Sequence, residues 1–231
     1  MELELKKVSL DTYEMGGELT LAQEETAETI VPDYCPDIAR IIETDGKVYL
    51  HSRELRDGKA ELSGTVQVTV LYTPDGESGI RTLEFAIPFT AESDSRALPN
   101  CQHLIAETET EFLEARMLNP RKIFTHCKLV THVTGYQRKP LEFCSDTEEN
   151  ASLQVEKRQE GQHAILLTHI SEKDFTFTDE MNLSPGREGA VELLTSQVSS
   201  TVTETKIVGS KLIFKGMFSV SLIYRDHSGG C

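Results

Sequence analysis

Cys101-Gln-His103 and His126-Cys127 are the one cluster in this sequence whose side chains are typical metal ligands. A zinc site needs four such ligands converging on one point. On strands, Cys101 and His103 share a face, whereas His126 and Cys127 point to opposite faces. The set does not converge, and no metal ligand is assigned. Cys127 alternates in step with Ile123, Leu129 and Val133, so it is expected to be a small buried hydrophobe rather than a reactive thiol. Glu107, Glu109 and Glu111 alternate with Thr108, Thr110 and Phe112, which places three carboxylates on one strand face. Such a stripe suits a calcium ion or a basic partner. The plainer reading, a solvated face that protects a sheet edge, is preferred.

Enzyme signatures are missing. There is no Gly-x-Ser-x-Gly, His-Glu-x-x-His, phosphate loop or Gly-x-Gly-x-x-Gly. Carboxylates are plentiful, so a glycosidase pair is not excluded by number, but no spacing selects two of them. No catalytic residue, cofactor site or metal site is assigned. Asn150-Ala-Ser152 and Asn182-Leu-Ser184 fit a glycosylation sequon, read here as chance matches.

Charge narrows the partners. Thirty-eight acids against 23 bases give a net charge of -15 over 231 residues. That surface repels phosphate backbones and anionic lipid, so neither nucleic acid nor a membrane surface is expected. No apolar run approaches the length of a membrane span. Met1–Leu10 has no apolar core, so no secretory signal is visible. The five cysteines, odd in number and without a Cys-x-x-Cys pair, read as reduced thiols in a cytosolic protein.

The elements that must position these residues come from a repeat. Asp57–Tyr72 and Gly209–Tyr224 align, with Lys59 on Lys211, Gly64 on Gly216, Val68 on Val220 and Tyr72 on Tyr224, each pair 152 residues apart. Leu62, Val66, Val68, Val70 and Tyr72 fall on one strand face, as do Phe214, Phe218, Val220, Leu222 and Tyr224. A glycine at the same point of each strand indicates a bulge or a close backbone approach. Asp57-Gly58 and Gly209-Ser210 supply tight hairpin turns. Upstream, Asp37–Ile42 and Gly189–Leu194 carry apolar residues at helical spacing, which predicts a short helix in each unit. Lys47–His51 and Ser200–Glu204 read as strands.

After the turn at Pro74–Gly79, Ile80–Phe89 is a strand, with Pro88 at an edge or bulge. Further strands are expected at about 102–116, 121–136, 151–157, 163–170 and 173–179, with a turn at Asn119-Pro120. Glu24, Glu25 and Glu28 are read as an exposed connection, and Asp146–Asn150 as a loop. The fold class is therefore mainly β: antiparallel sandwich or open-barrel units in tandem, with short helices. The division is 1-35 as an N-terminal segment, 36-157 as the first β domain, and 158-231 as the start of a second, truncated unit. The second unit stops at Arg225–Cys231, so the chain is expected to be a piece of a longer protein.

Three segments resemble one known family: Val31-Pro-Asp-Tyr-Cys-Pro-Asp-Ile-Ala-Arg-Ile-Ile42, Gly64–Tyr72 followed by Phe85-Ala-Ile-Pro-Phe89, and Leu118-Asn-Pro-Arg-Lys-Ile123. This is the SPOCS-domain family of endospore-forming bacteria, with SipL- and SpoVID-like proteins among its members. Its domains occur in tandem and are often followed by a glycan-binding LysM module. The resemblance covers the chain from about Glu18 onward. It implies a non-enzymatic scaffold or adaptor in coat or cortex assembly, on the mother-cell cytoplasmic side of the forming spore. It also implies a protein partner, with a coat-basement ATPase of the SpoIVA type as the candidate. Peptidoglycan contact would come only through a LysM module, and no such pattern occurs in this sequence. The alternatives are a cell-wall glycan-binding module or a glycan-acting hydrolase. The absence of tryptophan and only six tyrosines disfavour sugar stacking. Lys211–Tyr224 lacks a following strand. It is expected to pair with another chain, giving a homodimer, or to be sealed by the N-terminal segment near Glu18–Ala22.

Overall fold

Alternation with a period of two runs through almost the whole chain, and strands follow it. The computed structural model describes residues 5–93, 96–147, 156, 158, 161, 163–180, 182–183 and 189–227. It is mainly β (73% strand), with several antiparallel sheets and no closed barrel. The strands are β1 (Leu5–Leu10), β2 (Tyr13–Ile30), β3 (Ile38–Arg56), β4 (Lys59–Pro74), β5 (Arg81–Glu92), β6 (His103–Asn119), β7 (Lys122–Arg138), β8 (Leu141–Thr147), β9 (Ala190–Val208) and β10 (Lys211–Asp226).

Two three-stranded sheets, ordered β3-β4-β5 and β2-β7-β6, pack through their inner faces. The central strands β4 and β7 supply most of the core. Val66, Val68, Val70 and Tyr72 from β4 meet Ile123, Cys127 and Leu129 from β7, with Leu83, Ile87 and Phe89 from β5. Each fully buried aliphatic or aromatic side chain contributes about 1.5–3 kcal/mol over its exposed state. A second cluster, including Ala60, Leu62, Leu98 and Val133, fills the other end. β1 pairs with β8, and β9 with β10 as a separate two-stranded ribbon.

Turn chemistry sits where the sequence places it. Asp57 and Gly58 both have positive φ, 50° and 78°, as a two-residue β3–β4 hairpin requires. β5 is an edge strand, so Pro88, opposite Thr65, costs no hydrogen bond to a further strand.

The expected short helices are absent: Ile38–Ile42 opens β3, and Ala190–Leu194 opens β9. The register skips Ala39 and Ile42 in β3, so these residues are bulged. The bulge at Ala39 brings Ile38 and Ile41, three residues apart, onto the core side together. A helical spacing thus arises on a strand. Glu24, Glu25 and Glu28 lie on β2 rather than in a connection, and β2 is hydrogen-bonded along its length to β7. Residues 163–170 and 173–179 are not strands; the first contributes one isolated bridge, Leu167 to Tyr13. The strand expected at 151–157 falls almost wholly outside the described residues, as do the Asn150–Ser152 sequon and Cys231; of the second sequon, Ser184 lies outside them.

Candidate interaction surface

The Val31–Asp37 segment links the two sheets, and Arg121 holds it. Asn119 Oδ1 accepts from the Arg121 backbone N–H at 2.9 Å, which closes the β6–β7 turn. From that turn the guanidinium donates to the carbonyls of Val31 (2.8 Å) and Cys35 (2.7 Å), and to Asp33 and Asp37 Oδ1 (both 3.1 Å). Two backbone bonds run beside it, Val31 N–H to Arg121 O and Ile38 N–H to Pro120 O, both 2.9 Å. The planar fork of arginine matches such a ring of acceptors, where a lysine would reach fewer.

Tyr72 closes the same corner from below. It is fully buried, and its hydroxyl donates to the Pro36 carbonyl at 3.4 Å. Burial, and then the adjacent Cys35 thiol, pushes the phenol up to about 12. The folded-state value lies above the ordinary 10.0, so the stability it contributes is complete below about pH 10 and is lost as pH rises through about 12. Cys127, raised by burial and Glu25 to about 11, begins a similar loss at lower pH. In urea unfolding across pH 8–12, Tyr72→Phe is expected to lose about 1 kcal/mol at neutral pH and to flatten the decline above pH 10.

Gly64 has a steric assignment. An added Cβ would lie 2.5 Å from the Tyr49 carbonyl oxygen and 2.6 Å from the Phe89 ring. The carbonyl intrudes because the β3–β4 register skips His51. The second ribbon repeats this position by position. Gly216 meets the Thr201 carbonyl at 2.5 Å, and β9 skips Thr203. The other two bulges also recur, at Val191 for Ala39 and Leu194 for Ile42. Every one of these correspondences is an offset of 152 residues.

Residues 37–118 match the family model described as SipL, SPOCS domain. This stretch is a SPOCS domain. No curated protein matches the chain, and no solved structure matches it. The matched region spans β3 to β6, and the structure adds β7 and β2 to the sandwich around it. The three segments that resemble the family meet in one core cluster, although residues 31–36 and 119–123 lie outside the matched stretch. The Pro-Asp-Tyr-Cys-Pro-Asp loop is gripped by Arg121, and the ring of Phe89 lies over Gly64.

The residues with chemical potential are dispersed. Cys101 lies against Gly16 and Gly135, and His103 is opposite Tyr136, at the far end of β7 from His126 and Cys127. Burial raises the thiols of both Cys101 and Cys127, which disfavours the thiolate. Among the described residues, no group of three or more His, Cys, Asp or Glu is placed to hold a metal ion. No helix among them is long and apolar enough to cross a membrane. Glu107, Glu109 and Glu111 are exposed on β6, where Glu111 pairs with Lys128 at 2.7 Å. A pairing that sequence alone left unseen joins the outer face: His126 Nε2 lies 3.1 Å from Glu24 on β2, and its ring meets Phe112 edge-on.

Among the described residues, exposed large apolar side chains concentrate on β9–β10. Phe214, Phe218 and Leu222 are 60%, 51% and 36% exposed, whereas their counterparts Leu62, Val66 and Val70 are 3%, 0% and 0%. One end of the ribbon rests on the SPOCS domain: Thr82 donates to the Leu194 carbonyl at 3.0 Å and Lys47 to the Ser196 carbonyl at 2.6 Å. Phe177 tilts against Phe218 at 4.9 Å. The expected seal by Glu18–Ala22 does not form, because those residues pair with Val130–Thr134 of β7. β10 has β9 as its only strand neighbour among the described residues.

Proposed function

We propose that this chain is a non-enzymatic scaffold or adaptor in bacterial endospore envelope assembly, acting through protein–protein contacts. The observation that carries the reading is the SPOCS match over residues 37–118. Support comes from what the signature residues do. Arg121, Gly64, Phe89 and Tyr72 are engaged in holding the sandwich together. The uncovered apolar ribbon β9–β10 offers a surface that a partner would dry. The partner we propose from the family is a coat-basement ATPase of the SpoIVA type, met on the mother-cell cytoplasmic side of the forming spore.

Two measurements test this. Deleting the gene in its own spore-former should leave coat or cortex defects that the intact gene repairs. Purified chain incubated with peptidoglycan should release no soluble muropeptides. Wild-type spores from the deletion strain, or catalytic release of muropeptides, would overturn the scaffold reading.

A further inference from the structure

We propose that Tyr34 is the anchor of a protein-docking tip, and that its partner presents an apolar slot rimmed by lysine or arginine. The proposal rests on the adaptor reading and deepens it, by saying where the chain touches its partner and with what chemistry.

The loop is built so that one side chain is left over. Pro32 and Pro36 fix the backbone on either side. The Cys35 N–H donates to the Pro32 carbonyl at 2.9 Å, which closes a turn with Asp33 and Tyr34 at its corners. Arg121 ties the two residues that flank Tyr34, through the Asp33 carboxylate and the Cys35 carbonyl. Tyr34 itself is 88% exposed, and its side chain makes no hydrogen bond or ring contact among the described residues. The fold therefore gives no reason for an aromatic side chain here. A complex does: a tyrosine on so fixed a frame adds contact area at little ordering cost.

Two more apolar side chains stand at the same end of the sandwich. Ile30 precedes the loop at the end of β2, and Leu118 is bulged out of the β6–β7 register. Both are exposed, and Lys122 lies between their strands, opposite Ile30 and Asn119. With Tyr34 they form a patch of the composition found at interface centres, with an aromatic at its tip.

Charge selects the partner. Asp33 and Asp37 share the single Arg121 guanidinium. The Asp75 N–H donates to the Asp37 carbonyl at 2.8 Å, which sets the β4–β5 turn beside the loop. The Asp75 carboxylate has no ion pair among the described residues, so the rim is negative. It complements a basic protein surface, whose arginine can also lie over the Tyr34 ring. It repels nucleic acid, anionic lipid and a second copy of a chain whose net charge is -15.

The test puts the photocrosslinker p-benzoylphenylalanine in place of Tyr34 in the full chain, within its own spore-former. The same group in place of Glu109, exposed on β6, is the control. Tyr34 is expected to give an adduct to one protein, on a surface rich in lysine or arginine, and Glu109 none above background. Against that protein, purified, Tyr34→Ala should weaken binding about thirtyfold, and Asp75→Lys about fivefold at low salt. Tyr34→Phe should bind nearly as the parent does. Urea unfolding of Tyr34→Ala should match the parent, which separates lost contact from lost folding. The proposal is overturned by any of four results: no adduct beyond the control, an adduct on an acidic surface or a second copy, unchanged affinity of Tyr34→Ala, or a destabilised Tyr34→Ala. An adduct to a protein with no place in the spore envelope would sink the scaffold reading and leave the tip standing. Coat defects on gene deletion without an adduct would do the reverse.

Discussion

Gly64→Ala lowers the unfolding free energy by about 3 kcal/mol, the upper part of the range for overpacked cores. The new methyl group has nowhere to go. On one side is the Tyr49 carbonyl, fixed by the bulge at His51; on the other is the Phe89 ring, fixed in the core. Relief requires either straightening the bulge or withdrawing Phe89, and each opens the SPOCS sandwich. Phe89→Leu, which shortens the obstructing side chain, should recover part of the loss in the double variant. Gly216→Ala serves as the control. It meets the same kind of carbonyl, yet no aromatic ring and no covering sheet. Its cost is expected to be under about 1 kcal/mol, because an uncovered ribbon can shift. Urea unfolding of the three variants checks all of this, and equal losses at Gly64 and Gly216 would sink the steric account.

Arg121→Ala costs about 3 kcal/mol. Hydrogen bonds to charged groups carry about 1.5–3 kcal/mol, and truncation also leaves the Val31 carbonyl without the guanidinium. The side chain is 33% exposed, so water softens the loss to Asp33 and Asp37 rather than to the two carbonyls. Arg121→Lys should restore less than half, since an ammonium cannot span four acceptors at once. Hydrogen exchange should localise the damage to Val31–Ile38 and the β6–β7 turn. A change spread evenly over both sheets would contradict the clamp.

What the residues disclose in advance, and what they hide, follows from range. The β3–β4 and β9–β10 hairpins are legible because alternation, turn glycines and the 152-residue repeat are all local signals. Pro88 at an edge is legible for the same reason. The partner of β2 is not: Glu24 and Glu28 look like a polar connection, and only the distant β7 makes them the outer face of a strand. The bulges mislead outright, since one extra residue turns a period of two into the three-residue spacing of a helix at Ile38 and Ile41. Arg121 is visible as part of a motif, but two of its four acceptors are backbone carbonyls, and these carry no residue-type signature. The candidate surface is hidden for a related reason: Phe214 and Phe218 read as core because their counterparts are core.

The pairing of β2 with β7 bears on how the chain is made. β2 leaves the ribosome early, and Ile30 waits for Lys122 while three strands of the opposite sheet and all of β6 are synthesised. The β3–β4 and β6–β7 hairpins close over short distances and form quickly, whereas joining β2 to β7 closes a loop of roughly a hundred residues. That closure is expected to limit the folding rate. Until it occurs, β7 presents an unpaired edge, and crowded nascent chains are then most exposed to mispairing.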